Sequence, residues 1–238
     1  MPKKIVVLTG AGISAESGIP TFRDSGGLWE NEPVEIVATP EGFAKHPERV
    51  ADFYNKRRQD ALRCEPNAAH YALVKLEAKF GDNFLLITQN VDDLHQRAGS
   101  KRIIPMHGEL LKVRCLGTAE HVLECRENQP EKCPICGAKM RPHIVWFGEV
   151  PFEMDRIYSE LMNCDLFAYI GTSGAVYPAA GFRQVAKQAG AHVACLNLEE
   201  VSGGYTDEFI KGKAGEIVPE WAKLLYSKNH YAKKNKDL

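Results

Sequence analysis

The sequence predicts an α/β protein in which a parallel sheet forms the main domain and a smaller second domain is attached to it. Short apolar runs that suit strands buried on both faces alternate with helical stretches, and this alternation is typical of a parallel sheet. Two segments interrupt it: residues 34–79 are mostly helical, and residues 111–142 are rich in cysteine and turn residues. With 238 residues, the chain is long enough for a main domain and such a module.

Four segments are expected to form buried strands of the sheet: Ile5–Thr9, Phe84–Thr88, Asp165–Ile170 and His192–Asn197. Asn67 can cap a helix over Ala68–Phe80 that stops at Gly81, and Pro178 suits the first turn of a helix that ends near Gly190. The predicted main domain comprises residues 1–33, 82–110 and 143–238. The smaller domain combines a helical insertion, residues 34–81, with a cysteine-bearing module, residues 111–142.

Composition narrows the class of protein and the partners it is expected to bind. Hydrophobic residues make up 44 % of the chain and charged residues 26 %, as in ordinary globular proteins. The net charge of −1 gives no general attraction to nucleic acid or to anionic lipid, so neither is an expected partner. The longest apolar runs are too short to span a bilayer, and strand-like residues from Ile5 onward leave no room for a signal peptide.

The cysteines indicate the compartment. There are seven, an odd number for a disulfide framework, and four of them fall between Cys115 and Cys136. This clustering favours a metal site in a reducing compartment, so we expect a cytoplasmic protein. The lysine-rich tail from Ser227 lacks apolar periodicity and is expected to be a solvated end.

A glycine-rich segment follows the first strand and indicates dinucleotide binding. Gly10 and Gly12 allow the backbone to approach a pyrophosphate closely, although Ala15 holds the third position of the fingerprint and a tight turn would explain the glycines equally well. A dehydrogenase would carry an acidic residue about 20 positions on, at the end of a second strand. Here that region reads SGGLWEN, which predicts a dinucleotide site that is not used for hydride transfer.

Polar residues also follow three other predicted strands, where ligands of open α/β sheets bind. Asn90 and Asp92 are two residues apart and point the same way in extended backbone, so they could bind a carboxamide such as that of nicotinamide. Either residue could instead cap the helix that begins near Asp93. The other polar ends are Gly171–Ser173 and Asn197–Glu199, and three such ends together favour one shared crevice.

His107 is the candidate general base among eight histidines. It follows the apolar run 103–106 and precedes Gly108, so it too lies at a predicted strand end. Histidine titrates near neutral pH and is the usual general base, although a lone histidine more often has a structural hydrogen bond.

Cys133 and Cys136 form a CxxC turn that presents two thiolates to one metal ion, most often zinc. An upstream pair would complete the site, but Thr118 stands three residues after Cys115 and breaks that pair. Cys125 is a possible substitute, although it is too far from Cys115 to form a knuckle with it. We expect a structural zinc ion bound by three or four of these thiols, Cys115, Cys125, Cys133 and Cys136; the alternative is a weakened or empty site.

These motifs in this order closely resemble the sirtuin family of NAD-dependent protein deacylases. The resemblance extends from Gly10 to Ser173 and rests on GAGISAESGIPTFR, TQNVDDLHQRAG, HGE, CPICG, RPHIVWFGE and IGTS. It implies a Rossmann-like domain and a small helical and zinc-bearing domain, with NAD and substrate in the cleft between them. It also implies a reaction in which NAD is consumed at its glycosidic bond. The acyl oxygen would attack C1′ of the nicotinamide ribose and expel nicotinamide. His107 would then deprotonate a ribose hydroxyl, which attacks the resulting imidate, and water would release O-acyl-ADP-ribose and free lysine.

The resemblance assigns further residues to the cofactor and the acylated peptide. The pyrophosphate would lie along Gly10, Ala11, Gly12, Ile13 and Ser14, and the reacting ribose beside Phe22 and Arg23. The nicotinamide and its ribose would contact Gln89, Asn90 and Asp92. The adenosine half would contact Gly171, Thr172, Ser173, Asn197, Leu198, Glu199 and Ala214. The acyl-lysine peptide would pair with residues 145–149, including Val145, Phe147 and Gly148.

Tyr54 and Arg57 bear on the acyl group. They are three residues apart on one helix face and match the Tyr-x-x-Arg pair of sirtuins that remove acidic acyl groups such as succinyl. A solvated basic face, with Lys56 and Arg58 alongside, is the alternative from the residues alone. The resemblance therefore predicts a deacetylase and desuccinylase. The competing functions are mono-ADP-ribosyl transfer to protein and a zinc-bearing module that binds NAD without turnover.

Overall fold

The computed structural model describes residues 2–20, 28–30 and 32–226. The strands are β1 Ile5–Thr9, β2 Leu28–Trp29, β3 Glu32–Pro33, β4 Phe84–Thr88, β5 Ile103–Pro105, β6 Gly108–Cys115, β7 Val122–Glu124, β8 Met140–Ile144, β9 Leu166–Ile170, β10 His192–Asn197 and β11 Glu208–Lys211. The helices are α1 Val34–Val37, α2 Pro40–Lys45, α3 Pro47–Arg63, α4 Ala68–Phe80, α5 Leu94–Ala98, α6 Met154–Met162, α7 Phe182–Gln188 and α8 Ala214–Tyr226.

A six-stranded parallel sheet in the order β11-β10-β9-β1-β4-β5 forms the centre of the molecule. The α/β prediction is confirmed, and the four predicted strands form its inner positions. All five residues of β1, β4 and β9 are buried, as continuous apolar runs predict for strands covered on both faces. The edge strand β11 was not predicted, because its half-exposed sequence EFIK lacks such a run.

Helices cover both faces of this sheet. On one face, Leu73 and Leu76 of α4 and Trp221 of α8 pack in one apolar cluster with β1, β4, β9 and β10. On the other face, α6 and α7 supply Ile157 and Phe182 to a second cluster. As predicted, Asn67 caps α4, with its side chain accepting a hydrogen bond from the Ala69 N–H at 3.0 Å, and Gly81 terminates it.

The smaller domain is built from α1 to α3 and a three-stranded antiparallel sheet in the order β7-β6-β8. Its apolar centre joins Val50 and Tyr54 of α3 to Leu110, Ile144 and Trp146. The sequence-based division placed residues 68–81 in this domain. Because α4 packs against α8 and the large sheet, we propose that the helical insertion ends near residue 65 instead.

Within the described part of the chain, no helix is both long enough and apolar enough to cross a membrane.

Candidate active site and metal centre

A cavity of about 1160 Å³ lies between the carboxyl ends of the parallel strands and the smaller domain. It gathers the predicted strand ends, His107 and the pair Tyr54 and Arg57 in one place. Its lining includes these predicted residues: Gly10, Ala11, Gly12, Tyr54, Arg57, Gln89, Asn90, Asp92, His107, Val145, Phe147, Gly148, Gly171, Thr172, Ser173, Asn197, Leu198, Glu199 and Ala214. The shared crevice inferred from three polar strand ends is therefore present.

The glycines of the first loop allow two strand-end loops to touch. A Cβ on Gly12 would lie 2.7 Å from Gly171 Cα, and one on Gly10 would lie 2.9 Å from Gly171 O. The Gly10 N–H donates to Ile170 O at 3.0 Å and the Gly12 N–H to Gly171 O at 2.8 Å. Both N–H groups therefore already have hydrogen-bond acceptors within the protein. The glycines are required for close backbone packing, whereas the sequence suggested that their N–H groups approach a phosphate.

Two other predicted residues of that loop do not line the cavity. The Ile13 side chain is fully buried in the core cluster. Ser14 lies beneath the cavity and interacts with Asn90 and Asp92. Phe22 and Arg23 lie outside the described residues.

Ser14, Asn90 and Asp92 form one buried polar cluster. The Ser14 hydroxyl donates to Asp92 Oδ2 at 3.0 Å and accepts from Asn90 Nδ2 at 3.1 Å. Asp92 Oδ1 also accepts from the Leu94 N–H at 3.1 Å, so it satisfies one donor at the start of α5, although Asp93 holds the N-cap position. Burial raises the pKa of Asp92 to about 6, although hydrogen bonds from Leu94 and Ser14 oppose the rise. Asn90 and Asp92 thus share a side of the backbone, as their spacing indicated.

Gln89 and Thr172 join two strand ends across the cavity. Gln89 Nε2 donates to Thr172 Oγ1 at 3.1 Å, and Asn197 Nδ2 donates to Thr172 O at 2.9 Å. The ends of β4, β9 and β10 are thereby held in one fixed arrangement. Ala214, at the start of α8, completes this side of the cavity.

His107 lies between β5 and β6 with its ring in the cavity lining. Its Nδ1 is 3.1 Å from Gln89 O. A carbonyl oxygen can only accept, so Nδ1 carries the proton and Nε2 keeps a free lone pair. Burial lowers the pKa of His107, although the Gln89 hydrogen bond opposes this. The imidazole is therefore neutral at neutral pH and able to accept a proton.

The end of the cavity that is predicted to hold the acyl group is built on α3. Tyr54 and Arg57 are both buried, with 0 % and 8 % of their surface exposed, so the solvated-face alternative is wrong for this pair. Tyr54 Oη accepts a hydrogen bond from Trp146 Nε1 at 2.9 Å, and Arg57 lies 4.3 Å above the ring of Trp29. Arg58 is also fully buried and donates to Leu110 O at 3.0 Å.

Charged side chains behind Trp146 hold this end in place. Glu149 accepts hydrogen bonds from Arg141, from Arg114 and from the Trp146 N–H. Arg141 also lies 3.3 Å above the Trp146 ring. Sequence reasoning missed Arg114 and Arg141, because the two arginines lie on different strands, β6 and β8. Only Arg141 is near their shared partner Glu149 in sequence, within the motif RPHIVWFGE.

The segment predicted to pair with peptide lies along the cavity. The Val145 N–H donates to His107 O at 2.9 Å, and the Phe147 N–H donates to Ala38 O at 2.9 Å. Both N–H groups are occupied by partners within the chain. Main-chain pairing of a peptide with these two residues would therefore use their carbonyl oxygens.

The metal centre consists of Cys115, His121, Cys133 and Cys136, whose ligand atoms all lie within 4.8 Å of one another. Cys115 Sγ is 3.4 Å from Cys136 Sγ, and Cys133 Sγ is 3.5 Å from His121 Nδ1. Such separations suit a tetrahedron with metal–ligand bonds of about 2.0–2.3 Å. Three thiolates and one imidazole are a zinc donor set, and a closed set of four indicates a structural ion. The residues present therefore fit zinc.

The assignment of Cys125 as a ligand is wrong, and His121 takes the fourth position. The Cys115 N–H donates to His121 O, which places His121, directly before β7, beside Cys115 at the end of β6. The Cys125 N–H instead donates to Leu111 O, four residues back along β6. The Cys125 thiol contacts Glu127 O at 3.4 Å, away from the cluster. A search of residues 115–136 for histidine as well as cysteine would have found this ligand.

Comparisons with known proteins agree with this arrangement. The Sir2 family matches residues 10–178. An NAD-dependent protein deacylase of Pasteurella multocida (strain Pm70) is 56 % identical over 225 residues, which cover 92 % of this chain and 96 % of that protein.

Solved structures show the same similarity. A mutant Sir2 homologue in complex with ADP-ribose superposes with a TM-score of 0.87 at 40 % identity, covering 96 % of both chains. A complex of Sir2 with a p53 peptide and NAD+ gives a TM-score of 0.80 at 32 % identity, covering 93 % of both chains.

Proposed function

The chain belongs to the Sir2 family, and on this basis we propose that it is an NAD-dependent protein-lysine deacylase. Its products would be nicotinamide, O-acyl-ADP-ribose and free lysine, with acetyl and succinyl groups both removed. One observation carries the proposal: a single cavity holds a neutral buried histidine, three polar strand ends and a buried arginine. A protein of this kind needs a base, a dinucleotide site and an acyl site close together.

His107 is proposed as the general base. Its Nδ1–H is held by Gln89 O, which fixes the ring and directs basicity to Nε2. Because burial keeps the imidazole neutral, Nε2 can accept the proton of a ribose hydroxyl and so make the oxygen nucleophilic. In the proposed reaction the acyl oxygen would first displace nicotinamide from C1′ of the ribose, which gives an imidate. The deprotonated hydroxyl oxygen would then add to the acyl carbon of the imidate, and the lysine amine would leave. Water would add to the same carbon, and cleavage of its bond to the C1′ oxygen would release O-acyl-ADP-ribose.

The dinucleotide would occupy the sheet side of the cavity. Relatives are named as NAD-dependent or bound to ADP-ribose, and the cavity of this chain reaches the ends of four parallel strands. Asn90 and Asp92, oriented together by Ser14, offer an amide and a carboxylate for the nicotinamide carboxamide and its ribose. The strand ends at 171–173 and 197–199 would hold the adenosine half.

The acyl-lysine chain of a protein or peptide substrate would enter beside residues 145–148. At the far end, Arg57 would bind the carboxylate of a succinyl group, assisted by the Tyr54 hydroxyl. A charge-assisted guanidinium–carboxylate contact is worth about 1.5–3 kcal/mol, which corresponds to about tenfold or more in preference. Comparing Arg57→Met with the native protein on succinyl- and acetyl-lysine peptides tests this. An unchanged ratio of the two rates would rule out the arginine contact.

Zinc would be bound by Cys115, His121, Cys133 and Cys136 and would stabilise the smaller domain. All seven cysteines lie in the described part of the chain and none of them forms a disulfide, which agrees with the cytoplasmic location that we propose.

Mass spectrometry of the products from NAD and a mixed set of acyl-lysine peptides tests the whole proposal. Deacylation gives free lysine peptide and O-acyl-ADP-ribose. Protein mono-ADP-ribosyl transfer would instead add ADP-ribose to a protein, and an NAD-binding module without turnover would leave every peptide unchanged.

A further inference from the structure

The acyl end of the cavity already contains a carboxylate of the protein itself. Glu30 lies at the turn between β2 and β3 and lines the same cavity as Tyr54 and Arg57. Its Oε1 is 2.5 Å from Arg57 Nη1. Glu30 is one of two non-glycine residues in the described part of the chain with a positive φ, at 48°. Glutamate adopts this conformation at a cost, so the turn holds the side chain in an unusual position.

The contact neutralises Arg57 but leaves part of its hydrogen-bonding capacity unused. The guanidinium is 8 % exposed, whereas the Glu30 side chain is 28 % exposed. Among the described residues, neither Nε nor Nη1 of Arg57 has an acceptor in hydrogen-bonding alignment, so the contact with Glu30 is an ion pair without good geometry. A guanidinium presents five N–H donors in a fork that matches a carboxylate.

We propose that Glu30 is an acyl-specificity residue, a displaceable carboxylate that competes with an acidic acyl group for Arg57. The inference rests on the proposed function, because it requires that acyl groups reach Arg57. When the acyl group is neutral, Glu30 stays and keeps a buried positive charge from being left without a partner. When the acyl group carries a carboxylate, that carboxylate takes the place of Glu30 at the guanidinium and Glu30 moves toward solvent. Glu30 thereby lets one pocket accept both acetyl and succinyl groups.

Glu30→Gln tests this by removing the charge at nearly constant side-chain length. We expect the ratio of succinyl to acetyl deacylation efficiency (kcat/KM) to rise about two- to fivefold, the range of one partly exposed ion pair. The rise should come from a lower KM for the succinyl peptide and a higher KM for the acetyl peptide. The matched control is Glu32→Gln, because Glu32 is in the same hairpin but pairs with Arg49 at 2.6 Å, outside the cavity lining.

Two further proteins separate failure of this inference from failure of the proposed arginine contact. Arg57→Met should lower the ratio, and in an Arg57→Met background Glu30→Gln should no longer change it. If Arg57→Met lowers the ratio but Glu30→Gln leaves it unchanged or lowers it, the role of Glu30 is wrong and the arginine contact stands. If Arg57→Met leaves the ratio of succinyl to acetyl efficiency unchanged, the arginine contact is wrong, and the role of Glu30, which depends on it, is wrong as well. An equal rise for Glu32→Gln would also overturn the inference, since it would show a general effect of charge.

Discussion

The two ends of the cavity are built in different ways. At the sheet end, the groups that face the cavity follow strands whose backbones are hydrogen-bonded to one another, and short polar contacts such as Gln89–Thr172 tie those ends together. At the proposed acyl end, the contacts join side chains from three separate segments: Trp29, the α3 residues Tyr54 and Arg57, and Trp146. Under the proposed function, the backbone therefore fixes the site for the shared chemistry, whereas side-chain packing would set acyl selectivity. Changes at the acyl end should alter preference while the reaction is retained.

His107→Ala should give the largest effect and tests the sheet end. Loss of a general base typically costs about 10²–10⁴ in rate, and deacylation of any acyl-lysine peptide should fall by at least that amount. Binding of NAD, measured by calorimetry, should persist because the strand ends are unchanged. If His107→Ala deacylated peptides at the native rate, the assignment of His107 as general base would be wrong.

Substitution of one metal ligand should unfold the cysteine-bearing module, residues 111–142. In Cys133→Ser, metal content measured by atomic emission should fall, and limited proteolysis should cut within residues 111–142, because the ion supplies much of that module's stability. Cys125→Ser is the matched control, since that thiol lies outside the cluster. It should keep its metal. Retention of zinc by Cys133→Ser with loss from Cys125→Ser would reverse the ligand assignment.

Tyr54→Phe tests the side-chain packing of the acyl end. The change leaves the Trp146 Nε1–H buried without its acceptor, which costs about 1–3 kcal/mol in the free energy of unfolding. Urea unfolding measures this, and the succinyl preference should fall severalfold with acetyl turnover less affected. Tyr71→Phe, at an exposed position on α4, should change neither quantity. If Tyr54→Phe lost succinyl and acetyl deacylation equally, the acyl end would not control acyl preference independently of the sheet end.

The pH dependence should be the smallest effect and belongs to the sheet end. His107 acts as a base only when neutral, and burial lowers its pKa below the ordinary value of 6.5. Asp92 is ionised only above a pKa that burial raises to about 6. Activity should therefore be constant above neutral pH and fall as pH drops through about 6 and below. In Asp92→Asn, the part of the acidic fall in rate that is due to Asp92 should disappear, and the part due to His107 should remain. If the deacylation rate of the native protein fell with a midpoint above pH 6.5, both assignments would be contradicted.

The sheet end could be predicted well from sequence, because its signals are local. Apolar runs mark buried strands, and polar residues directly after them mark the edge where parallel strands end together. The spacing of Asn90 and Asp92 gave their common orientation correctly. The edge strand β11 and the position of α4 could not be read in this way, since exposure at a sheet edge and packing against α8 depend on distant segments.

By itself, the sequence determined the fold class, the shared crevice, the candidate base His107 and the presence of a cysteine-based metal module. Each of these follows from a periodicity, a spacing or a strand end. Only the tertiary structure decided the pairing of strands β6 and β7, which makes His121 and not Cys125 the fourth ligand. It alone brought Glu30 to Arg57, 27 positions away, because ion pairs between separate elements depend on how those elements pack and leave no periodic trace in the chain.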